Sequence, residues 1–232
     1  MDLENYDDLR PFEGEEVTEA IQRLLRKPMT FQIMQHVYPD MEQQEIEEML
    51  LGVKTTEDFQ IEISAPAFKV IAQTTTNGLT FTNMDSIDKS VPYLFLSNHR
   101  DIILDSALLN VSLLEKGFET TQIAIGDNLL HNNIIEDIVR LNKSFIVHRN
   151  APPKELLMLS KRLSNYIRKT IKEDRCSVWI AHKEGRSKDG DDRTANGLLK
   201  MLVSSSKESI TDSLKELNII PTVVSYEYDP CD

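Results

Sequence analysis

After about residue 90, short apolar runs alternate with amphipathic stretches, and no other feature of this sequence narrows the possible folds so far. "YLFLS", "TQIAIG", "SFIVHR", "SVWIAH" and "IIPTVVSYEY" have the length and side-chain content of strands. Between them, "ILDSALLNVSLLEKG", "NNIIEDIVRLN", "PPKELLMLSKRLSNYIRKTIKED" and "GLLKMLVSSSKESITDSLKEL" carry apolar residues at helical spacing. Strands alternating with helices predict an α/β domain with a mostly parallel central sheet flanked by helices. Ligands in such sheets bind at the carboxyl ends of strands. Four of the runs end in polar groups: His99 and Asp101, His148 and Arg149, Glu184 and Arg186, Tyr226 and Glu227.

The N-terminal third reads differently. From Glu15 to about Leu51 the apolar residues keep helical spacing, punctuated by Pro28 and Pro39 and stopped by Gly52. A mixed helical signal continues to Asn77, and "NGLTFTN" at 77–83 reads as a turn followed by a short strand or extended segment. Residues 1–80 are therefore expected to form a small helical subdomain ahead of an α/β domain at 81–232. The chain of 232 residues is long enough for a substantial core.

Charge separates the same two regions. Of the formal net charge of -12, residues 1–62 hold 16 acids against 5 bases, and the remainder holds 22 against 21. A nucleic-acid binder wants a dominant basic face, which this chain lacks. The local exception is Lys161, Arg162, Arg168, Lys169, Lys172 and Arg175, which reads either as a solvated helix face or as a docking patch for an acidic carrier or anionic headgroups.

No window approaches the roughly 18 to 20 apolar residues of a spanning helix, and "MDLENYDDLR" lacks the basic and apolar regions of a signal peptide. Cys176 and Cys231 form no ligand cluster or disulfide framework, which fits a reducing compartment. The chain is read as cytoplasmic.

The stretch "SNHRDIILD" at 97–105 sets Asn98, His99, Arg100 and Asp101 side by side at a strand exit, a poor choice for packing but a usual place for chemistry. Together with three later segments it resembles the glycerophosphate and lysophosphatidate acyltransferases, the family with the HxxxxD box. "NHRDIILD" looks like the first block of that family, "SFIVHR" like the second, "KEGRS" like the third and "IIPTVVSYE" like the fourth with its proline, in order over about residues 91–230. Two departures mark a divergent branch. Asp105 follows His99 by six residues and Asp101 by two, where the family box has five. Glu184-Gly185-Arg186-Ser187 lacks the residue that usually separates Gly from Arg in the third block.

Moving an acyl group from a thioester to an alcohol needs a base for the hydroxyl proton, and imidazole titrates near the working pH. His99 is the candidate. A carboxylate on its other ring nitrogen would fix the tautomer, with Asp105 the first choice and Asp101, which could instead cap the following helix, the second. Six residues of ideal helix turn through about 600°, so His99 must precede that helix in the loop. Phosphate recognition favours arginine. The resemblance implies Arg149 and Arg186 as the acceptor's phosphate contacts, with Glu184, Gly185 and Ser187 shaping its pocket and Arg193 in reserve.

Other chemistries find no support. There is no G-x-S-x-G elbow, no G-x-x-x-x-G-K-[ST] loop and no G-x-G-x-x-G. Counted from Asp189 as a calcium loop, the required Gly and Glu fall on Thr194 and Lys200, and His131 and His182 have no ligand-spaced partners.

The expected protein is an acyltransferase that needs no cofactor and no metal. It would carry a fatty acyl group from acyl carrier protein or acyl-CoA to the hydroxyl of glycerol 3-phosphate or lysophosphatidate in phospholipid synthesis. Membrane contact would be peripheral, through the basic stretch or exposed apolar residues. The alternatives are an acyltransferase for another acceptor, such as an amino-acid lipid, and a non-catalytic lipid or acyl-carrier binding module. Because "IIPTVVSYEYDPCD" stops just after the fourth block, the chain is expected to be cut from a longer protein.

Overall fold

The structure is a computed structural model that describes residues 5–149, 151–188 and 190–228; Cys231 and Asp189 lie outside these. The chain starts with α1 (Glu15–Leu25), α2 (Pro28–Val37), α3 (Gln43–Gly52), the single turn α4 (Thr56–Asp58), a π-helical turn (Phe59–Ser64) and α5 (Ala65–Thr75). The π turn ends where Pro66 brings no N–H to the helix, and Ala65 N–H instead reaches back to the Gln60 carbonyl. No strand forms at 77–83.

Strands and helices then alternate as the sequence pattern requires: β1 (Leu94–Ser97), α6 (Leu104–Glu115), β2 (Gln122–Gly126), α7 (Asn133–Leu141), β3 (Ser144–Val147), α8 (Pro153–Lys172), β4 (Val178–Ala181), α9 (Asn196–Val203), α10 (Ile210–Lys215) and β5 (Ile219–Thr222). All pairings are parallel, in the order β3-β2-β4-β1-β5. Pro221 is tolerated because β5 is an edge strand, where a missing N–H breaks no ladder. The helical pattern at 197–217 breaks into α9 and α10, since Ser209 leaves the helix to accept a bond from Asp212 N–H as an N-cap.

Alternate side chains of the strands feed two cores. On one face Leu94, Phe145, Val178 and Ile180 pack under Leu163, Ile167 and Ile171 of α8 and Leu202 of α9. On the other, Phe95, Ile123 and Trp179 pack under Leu109 and Leu113 of α6. The connection leaving β1 therefore crosses one face toward β2, and the one leaving β4 crosses the opposite face toward β5. Neighbouring strands whose connections part to opposite faces open a crevice at their carboxyl ends. Here those strands are β1 and β4.

Residues 5–10 lie along the outer edge of β3, where Ile146 N–H donates to the Leu9 carbonyl at 2.8 Å and Leu9 enters the α8-side core. Two buried arginines hold this segment. Arg140 of α7 donates to the Arg10 and Asp8 carbonyls at 2.6 and 2.7 Å, and Arg162 of α8 binds the Asn5 carbonyl and the Asp8 carboxylate.

The basic stretch is only partly a surface patch. Arg162 is buried, and Arg168 binds Glu216 and the Leu202 and Ser213 carbonyls. Lys169 pairs with Asp174, Lys172 with Glu216, and Arg175 with the Ser90 carbonyl. Lys161, Lys172 and Arg175 remain exposed.

The Arg162 guanidinium holds the Asp8 carboxyl at a pKa of about 2, against 3.8 ordinarily, with burial opposing the shift. A depressed carboxylate contributes stability that is complete above pH 3.8 and disappears as pH falls toward 2. Asp8→Asn is expected to cost about 1 kcal/mol at neutral pH, a modest figure because Asp8 is half exposed and screened. Urea denaturation should show the gap between variant and wild type closing below pH 3; a gap that stays constant with pH would contradict this.

Candidate active site

The β1 exit carries His99 five residues before the first residue of α6, in the loop where the angular argument requires it. His99 Nδ1 lies 3.0 Å from Asp105 Oδ2. Asp105 sits in the first turn of α6 and is 0 % exposed. The loop folds back so that Arg100 N–H and Asp101 N–H also donate to Oδ2, at 2.7 and 3.0 Å, and the Tyr226 hydroxyl donates to Oδ1 at 2.9 Å. Four donors and the positive end of a helix thus surround one carboxylate. The extra residue between His99 and Asp105 is absorbed in this turn.

A carboxylate in this position only accepts, so the proton between it and the ring belongs to Nδ1 and the basic lone pair to Nε2. The ring stands edge-on to Trp179 with centroids 6.1 Å apart and remains partly accessible. Asp101 is placed otherwise. Its Oδ1 accepts from Ile103 N–H at 2.8 Å and Leu104 N–H at 2.7 Å, which shapes the entry to α6. Of the two carboxylates considered from the sequence, Asp105 meets the imidazole.

The third block turns over the same crevice. His182 N–H donates to the Ser97 carbonyl, and Ser187 N–H donates to the His99 carbonyl, both at 2.7 Å. Ser187 is buried, and its hydroxyl donates to the Asp191 carbonyl at 3.3 Å. It therefore joins the β4 loop to the His99 loop. Gly185 has φ 74°, a left-handed turn that suits glycine. Arg186 is partly exposed and has no hydrogen bond or ion pair to another described residue. Arg193 is almost fully exposed and pairs with Asp191, whose carboxyl it holds at a pKa of about 2.

Arg149 leaves β3 and reaches across β2 to Glu184, with Nη1 3.3 Å from Oε1. Gly126 makes the crossing possible: a Cβ there would lie 2.8 Å from both Cζ and Nε of Arg149. Beneath the guanidinium opens a cavity of about 350 Å³ between α8, α9 and the sheet. Ala124, Ile180, Leu198 and Met201 line it together with Arg149 and Lys183. His99 lies outside its lining. His148, the other polar group of this exit, faces two carboxylates instead, Asp8 at 3.1 Å and Asp127 at 3.5 Å.

Several contributors escape a linear reading. Asn98 grips Val224 with both ends of its amide, accepting from its N–H at 2.8 Å and donating to its carbonyl at 2.9 Å. A side chain that imitates a strand ends β5 early and carries Tyr226 to Asp105. Arg100 pairs with Asp192 at 2.6 Å. His182 is buried, which pushes its pKa below the ordinary histidine value, and its Nε2 has no partner among the described residues. Tyr226 and His182 were visible as polar groups after strands; their contacts depend on which strands are neighbours. Among the described residues no group of three or more His, Cys, Asp or Glu is arranged to hold a metal ion, and no helix is long and apolar enough to cross a membrane.

The family model described as Acyltransferase matches residues 78–225, which include the whole sheet, His99, Asp105 and the β4 loop and end one residue before Tyr226. No curated protein matches the chain.

Asp105→Ala should strand the Arg100 and Asp101 amides and the Tyr226 hydroxyl in a buried place and cost about 2–4 kcal/mol, while Asp101→Ala should cost about 1 kcal/mol, the value of a lost cap. Equilibrium denaturation of the two variants measures the order, and equal losses would contradict it.

Proposed function

The chain belongs to the acyltransferase family, that of the glycerophosphate and lysophosphatidate acyltransferases, and from this premise we propose that it moves a fatty acyl group from a thioester to the hydroxyl of a glycerol phosphate or lysophosphatidate. The observation that carries the reading is the 3.0 Å bond between His99 and the buried Asp105 at the β1–β4 crevice. His99 Nε2 takes the proton of the acceptor hydroxyl as its oxygen attacks the thioester carbonyl carbon. The carbon–sulfur bond then breaks, and the proton passes from Nε2 to the departing thiolate. Asp105 keeps the ring in the productive tautomer and stabilises the imidazolium between these events. The nucleophile is the substrate's own oxygen, so no acyl-enzyme forms.

Arg149 and Lys183 supply positive charge beside the crevice, and a phosphate there gains charge-assisted hydrogen bonds. The present partner of Arg149, Glu184, is largely exposed, so their ion pair is worth at most about 1 kcal/mol and yields readily to a phosphate. Arg186 adds a second guanidinium on the same loop as Glu184. The donor is a thioester of coenzyme A or of acyl carrier protein. The reading makes lipid contact peripheral, through Ile102 and Ile103, large apolar residues left exposed in the His99 loop.

Mass spectrometry of mixtures of each thioester with glycerol 3-phosphate, lysophosphatidate or an amine acceptor tests the proposal. Wild type should acylate a phosphate-bearing acceptor, His99→Ala should lose at least about a hundredfold in rate, and Asp101→Ala should stay within a few-fold. Arg149→Ala should raise KM for the acceptor by about tenfold or more, the loss of a charge-assisted bond. Product with the amine alone would overturn the phosphate acceptor, and full activity of His99→Ala would overturn the base.

A further inference from the structure

Asp105 has two oxygens in different settings. Oδ2 takes the imidazole and two backbone amides, whereas Oδ1 takes the Tyr226 hydroxyl at 2.9 Å. Tyr226 lies 121 residues away in sequence and beyond the last strand. Its arrival is directed: Asn98, the neighbour of His99, clamps both backbone groups of Val224, two residues earlier. The segment after β5 is thus fastened to the chain on both sides of the imidazole, at Asn98 before it and at Asp105 after it.

Resting on the general-base reading above, we infer that Tyr226 is a positioning residue for His99, acting through Asp105 by fixing which carboxylate oxygen faces the ring and by drawing negative charge away from it. A carboxylate can turn about its Cβ–Cγ bond. The tyrosine bond opposes that rotation, because turning would exchange a phenol donor for the amides and the imidazole. The same bond tempers the carboxylate's pull on the Nδ1 proton, since each donor on one oxygen withdraws charge from both.

Other charged or titratable groups near the ring come from its own loop, Arg100 and Asp101, and from the β4 loop, Lys183, His182 and Asp192. The contact described at Oδ1 of Asp105 is that of the Tyr226 hydroxyl.

The test is NMR titration of the His99 ring in substrate-free protein, compared across wild type, Tyr226→Phe and protein carrying 3-fluorotyrosine at position 226. Loss of the donor should concentrate charge on Asp105, favour the imidazolium and raise the His99 midpoint. The fluorinated ring, a stronger donor of nearly the same shape, should lower it. Tyr226→Phe should also reduce kcat by about tenfold with KM for the acceptor unchanged, the pattern of an interaction felt in the transition state. Midpoints unmoved in both proteins, with only a lower denaturation midpoint for Tyr226→Phe, would make the tyrosine a structural tie and overturn the inference. Because the titration needs no substrate, its result stands apart from whether His99→Ala abolishes acyl transfer. If Tyr226→Phe does not fold, the fluorotyrosine shift alone decides.

Discussion

A carboxylate removed from water must be surrounded by donors, and the way Asp105 meets that demand organises everything near the β1 exit. Its four hydrogen bonds come from the imidazole, two successive loop amides and a tyrosine from the far end of the domain. Leaving such a group unpaired would cost several kcal/mol, so the loop cannot relax without breaking the fold locally. The geometry of His99 is therefore bought with the stability of the domain, and its ring is oriented before any substrate arrives.

The sheet explains why these donors can converge. With β4 inserted between β2 and β1, connections leave the central pair to opposite faces, and the loops after β1 and β4 meet over the gap. Ser187 bridges them through the His99 carbonyl. The α8 face is closed by a different device, the buried Arg140 and Arg162, which hold residues 5–10 along the edge of β3. That edge would otherwise offer unpaired backbone groups to another chain. The same bonds place Asp8 beside His148 and remove Arg162 from the basic surface.

Much of this was legible in sequence. Short apolar runs between stretches of helical spacing identified the strands and helices of the parallel sheet, because a strand buried on both faces is continuously apolar and an amphipathic helix is not. Polar residues after four of the runs lie at the carboxyl ends of the strands, though His148 among them faces Asp8 and Asp127. The choice between Asp101 and Asp105 was not legible, since it depends on a turn whose shape is set by amides that sequence does not distinguish. Arg162 and Arg168 looked like surface charge because an arginine at helical spacing gives no sign of the carbonyls waiting opposite it. The role of Gly126 was hidden for a similar reason: it matters only because Arg149 crosses over it.

The role of the Asp105 charge is measured most directly by the rate of acyl transfer by Asp105→Asn. An asparagine preserves size, and its oxygen on the loop amides can still accept from Nδ1–H, but it carries no charge to stabilise the imidazolium. Charge stabilisation by Asp105 predicts a folded variant whose kcat falls by about a hundredfold or more, the scale of general-base catalysis. A folded variant that keeps its rate within a few-fold of wild type would contradict it.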